Sequence, residues 1–280
     1  MPDPVGPNSF ILLRVIGAAF LFWMLIIGKW KFPERKDWLR FLLCALFGVV
    51  TNQLLFFNGL ALTTPIHASI IMTSNPILVM LFSSWILGIR IKALGFLGVI
   101  SGSVGASGII LSAHNLSPGE MSPSSLGDIF ILINSASWAM YLVLVRTLMD
   151  KYHPMYITAW VFALGIPFVI PFGGTGLMSV PWDMLSTGQW LAIIYVIVCT
   201  TFLTYLLNMY GVFHLSSSVA SSYIYLQPLL AALFAWLFSK LGTRDYLGHF
   251  GWDQLIWASL IFLGIYLVGR SQSKRYKPTD

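Results

Sequence analysis

Residues 67–89 read HASIIMTSNPILVMLFSSWILGI, and residues 218–239 read SVASSYIYLQPLLAALFAWLFS. Neither stretch contains Asp, Glu, Lys or Arg. A helix needs about 20 apolar residues to cross a hydrocarbon core of about 30 Å. Both stretches are long enough. Their apolar residues run continuously and do not alternate with period two, so each reads as a membrane helix and not as a barrel strand. Each also carries Ala-Ser near its start and an amide residue directly before a proline: Ala68, Ser69, Asn75 and Pro76 in one, Ala220, Ser221, Gln227 and Pro228 in the other.

Working outward, seven more apolar stretches meet the same test: 8–28, 37–62, 93–112, 126–148, 154–174, 188–212 and 251–270. The 280-residue chain is 57% hydrophobic and 9% charged, with a mean hydropathy of +0.80. A soluble domain carries roughly 25% charged residues. This composition excludes an ordinary soluble enzyme, a disordered chain and a nucleic-acid-binding module. Cys44 and Cys199 both lie in apolar runs, so no disulfide framework is implied. The expected fold is an all-α polytopic membrane protein with nine transmembrane helices.

The basic residues orient those helices. Lys29, Lys31, Arg35, Lys36 and Arg40 surround the first link, Arg90 and Lys92 the third, and Arg146 and Lys151 the fifth. Arg270, Lys274, Arg275 and Lys277 follow the last span. Threading nine spans puts all thirteen on one side, leaving Lys240 and Arg244 on the other. The positive-inside rule then makes the C-terminus cytoplasmic. No basic leader precedes the first apolar run, so no signal peptide is read. The net charge of +6 is a cytoplasmic collar, not a polyanion site.

Sliding the chain by 152 residues aligns 38–82 with 190–234 without a gap. Trp38 meets Trp190, Gly59 meets Gly211, Ala68-Ser69 meets Ala220-Ser221, and Pro76 meets Pro228, with several leucines between. The paired spans run in opposite directions, so the repeat is inverted, as in many secondary transporters. The expected domains are a first repeat over 1–115, a second over 126–272 and a cytoplasmic tail over 273–280. The second half has five spans and the first has four. Span 126–148 lacks a partner, whose counterpart would precede Met1. Two explanations compete: a ten-helix plan of two inverted five-helix repeats with the first helix missing, which is the favoured expectation, or a nine-helix variant with an outside N-terminus.

Polar side chains are costly in lipid, so their clustering is informative. Asn52, Phe56 and Gly59 lie at i, i+4 and i+7, with Gln53 beside them; Thr204, Asn208 and Gly211 occupy the same three repeat positions. The unpaired span places Asn134, Trp138 and Tyr141 on one face. Pro76 and Pro228 are expected to kink their helices and free backbone carbonyls. Singly, each polar residue has a packing explanation. Together they mark a central cavity, and the expected substrate-binding set is Asn52, Phe56, Asn75, Trp138, Tyr141, Tyr205, Asn208, Tyr225 and Gln227. The ladder Gly95, Gly98, Gly102, Gly105 and Gly108 reads instead as a close helix–helix contact.

Arg14 is the basic residue well inside a span and a candidate anion contact. Its position about two turns from the outer end favours snorkelling or capping a neighbouring helix. His67 and His214 sit at span ends, and no histidine pair has metal-ligand spacing. All ten acidic residues lie in tails, links or span ends, which argues against a buried-carboxylate proton relay. No paired carboxylates or nucleophile–base pair lies in the spans, so no catalytic residue, metal or cofactor is expected.

Several motifs together resemble the EamA family of the drug/metabolite transporter superfamily. They are PNSFILLRVIGAAFLF, GLALTTPIHASIIMTSNPILVMLFS, SASWAMYLVLVRTL, GVFHLSSSVASSYIYLQPLLAALFAWLF and LIWASLIFLGIYLV, in that order. The resemblance implies ten helices in two inverted repeats and a small-metabolite permease or exporter of bacterial inner membranes. It also implies that the family's first helix is absent.

The expected function is export of a small neutral or zwitterionic metabolite, such as an amino acid, by alternating access. The expected partners are that small molecule and the lipid bilayer, and no nucleic acid. Oligomeric state is not legible. A lipid-type carrier or membrane-embedded enzyme, and a non-transporting assembly or sensor subunit, are the alternatives.

Overall fold

A computed structural model describes residues 5–28, 32–63, 65–114, 125–227, 230, 233–234 and 252–272. Helix α1 spans Pro7–Leu25; Pro7 occupies the first helical position, where a missing N–H costs nothing. The second apolar stretch is α2 (Trp38–Ala45), a π-helical segment (Leu46–Thr51) and α3 (Asn52–Leu60). Then follow α4 (Pro65–Met72), α5 (Asn75–Leu87), α6 (Ala93–His114), α7 (Ser125–Met149) and α8 (Pro154–Met178). Helix α9 (Thr187–Tyr195) opens on a capping box between Ser186 and Gln189. It passes through a second π segment (Val196–Leu203) into α10 (Thr204–His214). Helix α11 (Ser217–Ser222) tightens into a 3-10 turn (Tyr223–Tyr225), and α12 spans Trp252–Gln272.

The chain is an all-α polytopic membrane protein. Among the described residues, Pro7–Leu25, Arg35–Leu60, Ala68–Leu87, Ser125–Met149, Pro154–Met178 and Thr187–His214 are long and apolar enough to cross a membrane. Ala93–Gly108 and Leu255–Ser271 are shorter apolar helices. These eight match eight of the nine expected spans. Beyond Gln227, most of span 218–239, including the expected kink Pro228, lies outside the described residues, as does the tail 273–280.

Two compact units form, and each draws on both halves of the sequence. Unit 1 comprises 1–58 and 140–214; unit 2 comprises 59–139 and 215–280.

In unit 1, α1 lies along α8. Small residues allow the approach: a Cβ on Gly173 would collide with the Asn8 carbonyl, and the Ser9 hydroxyl donates to the Gly173 carbonyl at 3.2 Å. Phe22 packs on Phe162 and Phe202, with ring centroids 5.4 and 4.7 Å away. One end of the unit carries an ion cluster. Lys151 Nζ lies 2.9 Å from the buried Asp37 carboxylate, and the Tyr152 hydroxyl donates to the same oxygen at 3.0 Å. Burial above all raises the Tyr152 pKa, which keeps the phenol protonated and a donor.

In unit 2, α6 packs along α12 through the glycine ladder. A Cβ on Gly98 would sit 2.8 Å from the Gly264 carbonyl oxygen, and one on Gly105 would sit 2.6 Å from the Trp257 carbonyl oxygen. The ladder is thus a close backbone contact, as its spacing predicts. Gly102 serves a different neighbour, because its bare face receives the Tyr225 ring.

Pro76 differs from expectation. The helix there is broken, not bent: α4 ends at Met72, Thr73 and Ser74 form a turn, and α5 restarts at Asn75 with Pro76 in its first turn. The Thr73 and Ser74 amides fold back to the Ile70 and Ile71 carbonyls at 3.0 Å, tightening the chain before the proline. Pro76 has no N–H to continue the ladder, so the new helix takes its first bond from Leu78 to the Ser74 carbonyl at 3.1 Å.

Candidate functional site

The two π segments are the feature that the sequence reading missed. Shifting 46–51 by 152 residues gives 198–203, inside the second segment Val196–Leu203. A π segment misaligns backbone donors and acceptors, and such bulges occur frequently at functional sites. Here the misaligned carbonyls attract side chains. Thr204 donates to the Cys199 carbonyl at 3.1 Å and Thr201 to the Val196 carbonyl at 2.9 Å, both five residues back. The first segment is served from afar: the Tyr205 hydroxyl donates to the Gly48 carbonyl at 2.7 Å.

Around these segments unit 1 assembles a buried polar cluster. Arg14 is 9% exposed, so its side chain does not snorkel outward. Its Nε donates to Thr201 Oγ1 at 2.8 Å, and its guanidinium carbon lies 4.7 Å from the Phe57 ring centroid. Tyr205 is buried and packs edge-on against Phe162, with centroids 4.8 Å apart. Beside its hydroxyl lies Gln53, 3% exposed, whose amide makes no well-formed hydrogen bond among the described residues beyond its approach to that hydroxyl. Tyr141 is fully buried, stacks against the bare backbone of Gly48 and donates to Met209 Sδ at 3.1 Å.

The other expected residues of unit 1 are less enclosed. Asn52, Phe56 and Asn208 are half-buried; Phe56 packs edge-on against Phe57 at 5.3 Å. The face of α3 that meets Arg14 and Tyr205 therefore carries Gln53 and Phe57, one position on from the expected pair Asn52 and Phe56. A signal existed in the sequence: the 152-residue offset pairs Gln53 with Tyr205.

Unit 2 holds Asn75, Trp138, Tyr225 and Gln227. Asn75 is buried, and its side-chain amide donates to the Ser135 carbonyl at 3.3 Å. Trp138 is half-buried and Gln227 exposed. The buried Tyr225 hydroxyl lies 2.9 Å from Ser103 Oγ and 3.1 Å from the Val99 carbonyl oxygen. Ser103 Oγ in turn donates to the Thr73 carbonyl at 3.2 Å. One hydroxyl on α6 thus ties the break before Pro76 to the 3-10 turn before Pro228. Beside that break, Ile70, Ile71, Ser74, Asp128, Ile129 and Leu132 line an apolar groove of about 300 Å³. Asp128 accepts the Thr63 hydroxyl, and Ser74 Oγ is buried without a partner. Among the described residues no group of three or more His, Cys, Asp or Glu could hold a metal ion.

The chain resembles known transporters along most of its length. It is 27% identical to an uncharacterized transporter of Archaeoglobus fulgidus, over 81% of this chain and 75% of that one. It is 25% identical to the uncharacterized transporter YyaM of Bacillus subtilis, over 93% and 83% of the two chains. It is 27% identical to the uncharacterized inner membrane transporter YedA of Escherichia coli, over 82% and 74%. A solved crystal structure shares the fold with a TM-score of 0.73 at 15% identity, covering 98% of this chain and 91% of that one. The model of the EamA-like transporter family matches residues 1–111 and 125–270. With that match running over both halves, this chain belongs to the EamA-like transporter family.

Proposed function

We propose that this transporter exports a small neutral or zwitterionic metabolite, such as an amino acid or related compound, by alternating access of two inverted repeats, 1–115 and 126–272. The observation that carries the reading is the shared register of the interruptions. At an offset of 152 residues the first π segment falls inside the second, and the turn before Asn75 falls at the end of the 3-10 turn Tyr223–Tyr225. In secondary transporters, interrupted helices related by inverted repeats surround the cargo site, and irregular backbone at membrane depth persists where it is buried in protein or lines a cavity. The cargo contacts we assign are Asn52, Phe56, Asn75, Trp138, Tyr141, Tyr205, Asn208, Tyr225 and Gln227. Amides supply hydrogen bonds and aromatic rings supply stacking surface.

Nothing in this set implies catalysis. The membrane is a bacterial inner membrane, a reading supported by the name of the Escherichia coli relative. A cytoplasmic C-terminus is supported by the thirteen-to-two distribution of basic residues. It is further supported by two contacts joining links assigned to that side: Asp37 with Lys151 in unit 1, and Lys92 with the Ser271 carbonyl in unit 2.

The test is flux of labelled L-amino acids in proteoliposomes. Asn208→Leu and Gln227→Leu are each expected to abolish flux while expression and monodispersity are retained. Unchanged flux in both variants overturns the site.

A further inference from the structure

Arg14 is a buried cation with no acidic partner among the described residues. Its contacts are the Thr201 hydroxyl at Nε and the Phe57 ring face. Among the described residues no Asp or Glu forms an ion pair with it. A hydroxyl and a ring face soften the burial of a guanidinium but do not neutralise it.

The geometry also leaves a specific part of the side chain unused. Thr201 engages Nε, which fixes the plane of the guanidinium, and among the described residues no hydrogen bond engages the two terminal nitrogens. A pair of parallel N–H donors on a fixed plane is the arrangement that matches a carboxylate bidentately. Gln53 supplies a second, independent sign. Its side chain is 3% exposed, and apart from its approach to the Tyr205 hydroxyl neither amide atom meets a hydrogen-bond partner among the described residues. Buried amides without partners are rare, and one beside a binding site is explained by a ligand that completes it. Gln53 and Phe57 are one turn apart on α3, and Phe57 lies against Arg14, so the amide and the guanidinium share one side of the helix. Tyr205 borders both.

We propose that unit 1 contains a carboxylate-binding subsite, with Arg14 as the charged donor and Gln53 as the neutral one, so that the cargo carries a carboxylate. The inference rests on the transport reading and narrows it: a fully neutral cargo is excluded and an amino-acid-type zwitterion fits. The Arg14 terminal nitrogens take the carboxylate oxygens. Gln53 Nε2 donates to one of them, and Gln53 Oε1 remains to accept from a neighbouring donor on the cargo, such as an α-ammonium. Phe57 provides apolar surface against Arg14, and Phe162 provides it against Tyr205.

The experiment measures binding to the purified full chain in nanodiscs for each L-amino acid and for its α-amide, which lacks the carboxylate. At least one acid binds, and its amide binds about tenfold or more weakly, the scale of a charge-assisted hydrogen bond. Arg14→Gln removes that preference by weakening the acid alone; Arg14→Lys retains part of it; Gln53→Leu weakens the acid while leaving apparent melting temperature close to wild type. Equal binding of acid and amide overturns the subsite, as does a preference that survives Arg14→Gln, and so does a wild-type protein that binds no acid in the panel. The acid–amide comparison needs no variant, so a misfolded Arg14→Gln protein does not rescue or sink it. Flux separates the two readings. Amides carried as fast as acids defeat the carboxylate subsite and leave transport standing. Acids that bind selectively but never cross proteoliposomes defeat transport and leave the subsite standing.

Discussion

The Tyr205 hydroxyl donates a 2.7 Å hydrogen bond to the Gly48 carbonyl, so a side chain of α10 seals the π segment that precedes α3. A π segment survives in a folded membrane protein when its displaced carbonyls find donors. Tyr205→Phe keeps the ring against Phe162 and deletes only the donor. The expected cost is about 1–3 kcal/mol for a buried carbonyl left unpaired. Thermal unfolding of the purified protein measures it, and an unchanged melting temperature would show that the bond carries no stability.

Gly48 has a second constraint. A Cβ there would sit 2.5 Å from the Tyr141 ring, whose hydroxyl is itself engaged by Met209. Gly48→Ala is expected to destabilise unit 1 by about 1–3 kcal/mol through overpacking. Tyr141→Leu is expected to restore part of the loss when combined with Gly48→Ala. Strictly additive losses in the double variant would place the strain elsewhere.

The sequence made the fold class legible because crossing a bilayer demands long uncharged runs, and those runs coincide with helices wherever the chain is described. It made the glycine ladder legible because a three-and-four spacing in lipid has one dominant use. The residue set of the site was only partly legible. Polar clustering and the match to Thr204 and Asn208 in the repeat pick out Asn52 and Phe56. Gln53 and Phe57, on the adjacent face of α3, are the pair that approaches Tyr205 and Arg14. No residue type announces a π segment, so the segments Leu46–Thr51 and Val196–Leu203 leave no signal in the pattern. Arg14 was legible as an exception but not as a buried one, because snorkelling and burial depend on neighbours such as Thr201 that lie far away in sequence. Tyr225 was picked out as cavity lining, yet it is wedged against Gly102 and bonded to Ser103, contacts that only the three-dimensional packing reveals.

Ser103 links two helix breaks through one oxygen, donating to Thr73 and meeting the Tyr225 hydroxyl. Ser103→Ala is expected to leave the Thr73 carbonyl unpaired at the turn, with a loss of about 1–2 kcal/mol. The local consequence is sharper than the global one. Amide exchange at residues 73–78 should accelerate several-fold while exchange in α1 and α8 stays as in the wild type. Equal acceleration in both regions would mean that the variant loosens the whole protein and not the break.

Asp37 and Lys151 join two links through a carboxylate that is only 1% exposed. Asp37 also accepts from Tyr152, whose hydroxyl in turn receives the Glu34 backbone N–H at 3.0 Å. Asp37→Asn preserves shape and an acceptor oxygen but removes the charge. Lys151 retains access to water, so the loss should be moderate, about 1–2 kcal/mol, and not the larger cost of stranding a fully buried ion. Salt distinguishes the contributions. If the charge carries the effect, the melting-temperature gap between wild type and Asp37→Asn narrows as sodium chloride rises, because screening weakens a partly exposed pair. A gap that is constant with salt would show that the screened ion pair does not carry the effect, and Tyr152→Phe, which deletes the donor to Asp37, measures the hydrogen bond separately.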